Sequence, residues 1–159
     1  MIDKKRRLGK YINEIKIGDS YTLSRSIEDK DLLLYLGLTN DANPLYIQHD
    51  YASQTLYKQP IVPSVMLFGL VSSIVSMHLP GPGSHITQHE MTFPNAVSHN
   101  TELKLTVEVI AIDEIDHQVA MSVIGFDVNG NEFITGKLYV SPPYKINQSL
   151  TANSLDNFF

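Results

Sequence analysis

Three polar side chains stand close together in the segment from residue 39 to residue 46. Asp41 supplies a carboxylate, Asn43 an amide and Tyr46 a phenol. A carboxylate in a desolvated setting can act as a general base, and a phenol can donate or accept a hydrogen bond. Asp and Asn ahead of a proline are also ordinary turn residues, so the spacing alone allows either a catalytic or a structural interpretation.

Other kinds of active centre find little support in the residue types. The chain has no cysteine, which excludes disulfides, thiolate metal sites and a cysteine nucleophile. His85 and His89 would share one face of a strand, but four residues of strand span about 13 Å, which is too far for one ion. The run Gly81-Pro82-Gly83 lacks the lysine and the spacing of a phosphate-binding loop. We therefore predict no metal and no other cofactor.

Helical patterns flank the polar segment. A helix is predicted over residues 29–39, with Leu32, Leu33, Tyr35 and Leu36 forming an apolar stripe. A second, short helix is predicted over residues 50–57. The polar segment is therefore expected to lie in the loop between two helices.

The most apolar part of the chain is residues 63–79, which begin with a proline and end at a Pro-Gly-Pro-Gly stop. Apolar side chains cover most of the circumference of the predicted helix, which indicates burial inside a domain. Small residues form one narrow stripe along it, at Gly69, Ser72, Ser73 and Ser76. Either this stripe packs closely against a neighbour, or one of its serines faces a ligand.

Alternation of apolar and polar residues predicts strands over residues 20–27, 85–93, 102–109, 118–126 and 132–140. Asn129-Gly130, between the last two, is a signal for a two-residue hairpin. Together, these elements predict an α+β domain, in which one antiparallel sheet wraps around a long central apolar helix.

Length and charge narrow the function further. A chain of 159 residues is expected to form one domain, here residues 1–140 with a short basic N-terminal tail, followed by a polar appendage at 141–159. A net charge of −5 argues against a nucleic-acid partner. The basic start is not followed by an apolar stretch, so we predict no export signal, no membrane partner and a cytoplasmic location.

The sequence resembles the MaoC-like hot-dog family, which includes the (R)-specific enoyl-CoA hydratases. The resemblance covers about residues 9–140 and rests on three pieces. Gly18-Asp19 with the following strand and helix resembles the family's opening, and residues 41–46 resemble its Asp-x-Asn-Pro-hydrophobic-His motif. Residues 60–84 resemble its central helix and the exit from that helix. The resemblance implies a single hot-dog domain that pairs into a homodimer or a dimer of dimers.

The resemblance also implies a reaction and roles for individual residues. The motif residues of the family activate a water that adds to a trans-2-enoyl thioester, or catalyse the reverse dehydration of a 3-hydroxyacyl thioester, in fatty-acid metabolism. Asp41 stands at the position of the motif aspartate, Asn43 at that of the loop-holding amide, and Ser72 at that of a serine beside the catalytic pair. The residues that would face the thioester carbonyl of an acyl-CoA or acyl carrier protein are Pro63, Ser64 and Val65.

Two departures from the family pattern keep alternatives open. Tyr46 replaces the motif histidine, and Pro63-Ser64 replaces the usual His-Gly at the head of the helix. A hydro-lyase would use Asp41 as the base and Tyr46 as a positioning phenol. A non-catalytic protein would still bind an acyl thioester but would have lost the hydration. A hot-dog thioesterase is disfavoured. Many such enzymes use an acidic residue on the central helix, and residues 63–79 contain no acidic side chain.

Overall fold

The computed structural model describes residues 7–146. The predicted basic tail at residues 1–6 and the predicted appendage from residue 147 onward lie outside the described residues. Within the described range the chain forms five strands, four α-helices and a short 3-10 helix at Ile12–Glu14. The helices are α1 (Asp29–Thr39), α2 (Pro44–Ile47), α3 (His49–Ser53) and α4 (Ser64–Met77). The strands are β1 (Ser20–Ser26), β2 (His85–Thr92), β3 (Glu102–Asp113), β4 (Gln118–Asp127) and β5 (Glu132–Ser141).

The five strands form one antiparallel sheet in the order β1-β3-β4-β5-β2. Strands β3, β4 and β5 follow one another through short connections, whereas β1 and β2 join at opposite edges. Gly136 of β5 pairs with Met91 of β2, and a Cβ atom at Gly136 would stand 2.1 Å from the carbonyl oxygen of Glu90. A glycine is therefore required for β2 to approach β5 this closely.

Helix α4 packs against the inner face of the sheet and forms the centre of the core. Its fully or nearly buried residues recur at helical spacing, which places them on one side of the helix. They are Leu67, Leu70, Val71, Ile74 and Val75. The sheet meets them with alternate residues of β3, β4 and β5, among them Leu105, Val107, Met121, Ile134 and Leu138. The predicted α+β architecture, with a sheet around a central apolar helix, is confirmed. No helix in the described part of the chain has the length and apolar character needed to cross a bilayer.

Helix α1 occupies the predicted residues, but its apolar stripe is not the buried face that the sequence suggested. Only Leu32 is buried, and Leu33 is 68% exposed. Tyr35 is half-buried, and its hydroxyl is engaged with the loop after the helix rather than with the core. Burial on α1 is therefore much narrower than its leucine content indicates.

Two other local predictions are corrected. Helix α3 ends at Ser53, four residues before the predicted end, and the following residues form a turn. The β4–β5 connection has four residues rather than the two of an Asn-Gly hairpin. The Asp127 carboxylate accepts from the N–H groups of Asn129 at 2.8 Å and Asn131 at 2.9 Å, which stabilises the wider turn.

Candidate active site

The loop that carries the polar motif begins where α1 ends. Asn40 adopts the left-handed conformation with φ of 60°, and its N–H donates to the carbonyl of Leu36 at 2.8 Å. Thr39 fixes the same turn from its side chain. Its hydroxyl donates to the Tyr35 carbonyl at 2.7 Å and accepts from the Asp41 N–H at 3.2 Å. The chain consequently reverses, and Asp41 returns to the last turns of α1.

Asp41 and Tyr35 are joined by a hydrogen bond. The Tyr35 hydroxyl donates to Oδ2 of Asp41 at 2.8 Å, and both side chains are partly buried. This bond to the carboxylate is the main cause that raises the pKa of Tyr35 above its ordinary value, with burial adding to it. Oδ1 of Asp41 accepts no hydrogen bond from residues 7–146, so one carboxylate oxygen is held and the other remains available.

Asn43 and Tyr46 lie on the other side of this loop. The side-chain oxygen of Asn43 accepts from the N–H of Leu45 at 3.0 Å and caps α2, which begins at Pro44. Burial raises the pKa of Tyr46 above its ordinary value, and the negative charge of Asp41 raises it further. The polar side chain of nearby Asn43 opposes both effects and lowers the pKa of Tyr46. Tyr46 is therefore a neutral phenol at neutral pH.

The head of α4 presents unpaired backbone donors. Pro63 is the N-cap, and its carbonyl accepts from the N–H groups of Met66 at 2.9 Å and Leu67 at 3.4 Å. The N–H groups of Ser64 and Val65 donate to no acceptor within the described residues. The side chains of both residues are exposed, whereas Pro63 is buried. This end of the helix carries a partial positive charge and suits a partly negative oxygen.

A cavity of about 560 Å³ opens beside the head of α4. Ser64 lines it together with Tyr57 and Ile61 from the approach to the helix and with residues 93–96 that follow β2. In the part of the chain described, neither Asp41, Tyr46 nor Ser72 belongs to its lining. The structure therefore separates a loop cluster, defined as Tyr35, Asp41, Asn43 and Tyr46, from the cavity at the helix head.

One short segment links the loop cluster to the cavity. The N–H of Ile61 donates to the carbonyl of Leu45 at 3.0 Å, one residue before Tyr46. The carbonyl of Ile61 lies 3.3 Å from Nε2 of His99, whose Nδ1 lies 3.3 Å from Oδ1 of Asp29 at the start of α1. The segment that leads into α4 is thus tied both to α2 and to α1.

Ser72 is a predicted site residue that lies on α4 and outside the loop cluster. It is half-buried on α4, eight residues beyond Ser64, or about 12 Å along the helix axis. Within residues 7–146, no hydrogen bond joins Ser72 to Asp41 or Tyr46. Sequence reasoning did not single out Tyr35 as a site residue, although its position near a helix end, six residues before Asp41, is a signal that could have done so.

The described residues contain no cluster of side chains that could bind a metal ion. Among residues 7–146, no three His, Asp or Glu side chains are grouped so as to hold one ion. His89 instead packs against the ring of Phe68, with ring centroids 4.1 Å apart. The loop cluster consequently offers proton transfer and hydrogen bonding through a carboxylate and two phenols.

The chain is similar to proteins of a known family. Residues 13–125 match the family model described as "MaoC like domain". An (R)-specific enoyl-CoA hydratase of Rhodospirillum rubrum is 31% identical over 102 residues, which cover 64% of this chain and 71% of the relative.

Two solved structures of (R)-hydratases resemble this chain in fold. The (R)-hydratase from Aeromonas caviae, involved in PHA biosynthesis, superposes with a TM-score of 0.77 at 27% identity and covers 81% of this chain and 98% of its own. The R-hydratase PhaJ1 from Pseudomonas aeruginosa gives 0.79 at 25% identity, with coverages of 86% and 88%. The hot-dog architecture expected from the resemblance is confirmed.

Proposed function

Since the chain belongs to the family of MaoC-like domains, we propose that it is an acyl-thioester hydro-lyase. It adds water across the double bond of a trans-2-enoyl thioester, or removes water from a 3-hydroxyacyl thioester in the reverse direction. The relatives named as enoyl-CoA hydratases and a 3-hydroxybutyryl-CoA dehydratase support this reaction class. In this chain the reaction proceeds with Tyr46 in place of the motif histidine.

Asp41 carries the proposal, because it is a half-buried carboxylate with one oxygen held by Tyr35 and the other unengaged by the described protein. Oδ1 takes a proton from water while the water oxygen bonds to C3 of the substrate. The π electrons of the C2–C3 bond move toward the thioester carbonyl. The proton on Asp41 then passes to C2, which regenerates the carboxylate and completes the addition.

Tyr46 serves as a hydrogen-bond donor to the reacting water. Its raised pKa keeps the phenol protonated at neutral pH, so it orients the water rather than removing its proton. Asn43 holds the loop by capping α2. Ser72 is assigned a hydroxyl beside the substrate because the family resemblance implies this role. Asp41 is then the sole base, which is the main difference from the Asp–His pair of the family motif.

The head of α4 is the proposed site of the thioester carbonyl. The N–H groups of Ser64 and Val65 would stabilise the negative charge that develops on the carbonyl oxygen. Pro63 has no N–H, so it contributes by fixing the start of the helix. The 560 Å³ cavity beside Ser64 offers room for part of the substrate.

Hydration of crotonyl-CoA and of longer trans-2-enoyl-CoA thioesters by the purified protein tests the proposal. We expect turnover by the wild type and a loss of about 10²- to 10⁴-fold in kcat for Asp41→Ala, the range for a general base. Asp50→Ala is the matched control, because Asp50 is an exposed acid on α3. A wild type that turns over no enoyl thioester, or an Asp41→Ala variant that is as fast as wild type, would contradict the proposal.

A non-catalytic acyl-thioester-binding protein is the second candidate. The observation that favours it is the neutral Tyr46 phenol, which is a poor base where the family motif has a histidine. Such a protein would bind an enoyl thioester, measured by calorimetry, without hydrating it. Binding with no turnover by the wild type would therefore favour this function.

The proposal extends to carrier, assembly and location. The substrate is a thioester of coenzyme A or of acyl carrier protein, and parallel assays with both carriers distinguish them.

We propose a cytoplasmic homodimer or dimer of dimers. Strands β1 and β2 are the two edges of the sheet in the described chain, and α1 exposes Leu33, Leu34 and Leu38 at 68%, 73% and 86%. Pairing of copies would cover such surfaces.

A further inference from the structure

We propose that Tyr35 is a positioning residue for the reaction, and that it fixes the carboxylate plane of Asp41. This inference rests on the proposed function, since it assigns a role within the same loop cluster. Tyr35 lies outside the Asp41–Tyr46 motif and was expected to be part of an apolar helix face. Its hydroxyl instead reaches the proposed base, six residues further along the chain.

The contact is built from both the backbone and the side chain of Tyr35. The hydroxyl donates to Oδ2 of Asp41 at 2.8 Å. The Tyr35 carbonyl accepts from the Thr39 hydroxyl, which in turn accepts from the N–H of Asp41. Two routes of hydrogen bonds thus join the same two residues, and the left-handed turn at Asn40 closes the loop between them.

Fixing Oδ2 has a chemical consequence for the other oxygen. The terminal torsion of an aspartate is broad, so an unrestrained carboxylate turns readily and presents either oxygen. A donor on Oδ2 restrains this rotation and leaves Oδ1, which accepts no hydrogen bond from residues 7–146, as the oxygen available to the reacting water. Orientation of a reacting group contributes strongly to rate, because small misplacements of about 1 Å can cost about 100-fold.

The electrostatics of the cluster support this assignment. The hydrogen bond to Asp41 is the largest cause that raises the pKa of Tyr35, and nearby Tyr46 raises it slightly further. Tyr35 therefore remains a neutral hydrogen-bond donor at neutral pH. The two phenols thus have different roles: Tyr35 donates a hydrogen bond to Oδ2 of Asp41, and Tyr46 orients the reacting water.

Tyr35→Phe is the test, since it keeps the ring and removes only the hydroxyl. We expect kcat for crotonyl-CoA hydration to fall about 10- to 100-fold while KM changes less than about threefold, as for a lost orienting contact. Tyr21→Phe is the matched control, because Tyr21 is a partly buried tyrosine stacked on His78.

The outcomes separate this inference from the proposed function. If the wild type is active and Tyr35→Phe keeps the kcat of Tyr21→Phe, only the inference is overturned. If the wild type hydrates no enoyl thioester, both fall together. Should Tyr35→Phe not fold, the inference is tested by the titration of the Tyr35 hydroxyl, which NMR can monitor in the wild type and in Asp41→Asn. The inference requires the titration to move to lower pH in Asp41→Asn, and an unchanged titration overturns it.

Discussion

The N–H of Ile61 donates to the carbonyl of Leu45 at 3.0 Å, and this bond joins the two halves of the candidate site. Leu45 adjoins Tyr46 in the loop cluster, whereas Ile61 lines the cavity at the head of α4. The loop that carries the proposed base and the segment that leads into the proposed carbonyl site are thus joined by a backbone hydrogen bond. Changes in the loop cluster are expected to act through it on substrate placement as well as on proton transfer.

Tyr46→His tests the departure from the family motif. An imidazole has an ordinary pKa of about 6.5, so beside Asp41 it could accept a proton from water near neutral pH. We expect hydration of enoyl-CoA to rise at least about tenfold over wild type, or about 1.4 kcal/mol in barrier. Initial rates of crotonyl-CoA hydration measure this change.

The same substitution with Pro63→His and Ser64→Gly restores the helix head of the family pattern and shows whether that head limits the gain. A fast wild type that is slowed by Tyr46→His would mean that the phenol is an adapted catalytic group. If Tyr46→His and the wild type both bind an enoyl thioester and neither hydrates it, the hydro-lyase interpretation is wrong.

Alkaline pH should weaken the fold through Tyr46. Burial raises the pKa of Tyr46 in the folded state, so its contribution to stability is complete below the ordinary tyrosine pKa of about 10 and is lost as pH rises beyond that value. We expect the free energy of unfolding, from denaturant titrations at stepped pH, to fall above about pH 10. The fall should be shallower in Tyr46→Phe, whereas Tyr51→Phe, which removes an exposed phenol on α3, should keep the wild-type slope. Identical slopes for the two variants would disprove this origin.

Assembly provides a further test. The exposed leucines of α1 and the two open sheet edges predict that the protein pairs with itself in solution. Light scattering at micromolar concentration is expected to give twice or four times the mass of the 17.8 kDa chain. A monomeric mass under these conditions would rule out the homodimer.

The sequence predicted the elements of the fold well where their signals are local. Helix α1 was expected at residues 29–39 and is found at Asp29–Thr39, and the apolar pattern of α4 located the core helix within two residues at each end. Helix α3 and the β4–β5 turn were predicted less well. In the turn, a side chain of Asp127 outweighs the backbone preference of Asn129-Gly130.

The candidate site was only partly accessible to the same reasoning. Residue types and the family motif identified Asp41, Asn43 and Tyr46, because they lie within six residues of one another. The bond from Tyr35 depends on the positive φ of Asn40, which reverses the chain, and no periodicity in the sequence reports that angle. The position of Ser72 relative to Asp41 depends on how α4 and α1 are arranged in space, which spacing along the chain does not specify.

The left-handed turn at Asn40 makes the loop that carries Asp41 a local unit of the structure. Among residues 7–146, the side-chain hydrogen bonds that place Asp41 all come from residues 35–39, so they span no more than six positions of the chain. Such a short unit can open and close on its own while the five-strand sheet stays intact, as local fluctuations in proteins do. Amide hydrogen exchange at residues 39–42 should therefore be faster than in β4. Selection could then tune the chemistry of this loop without altering the stability of the domain.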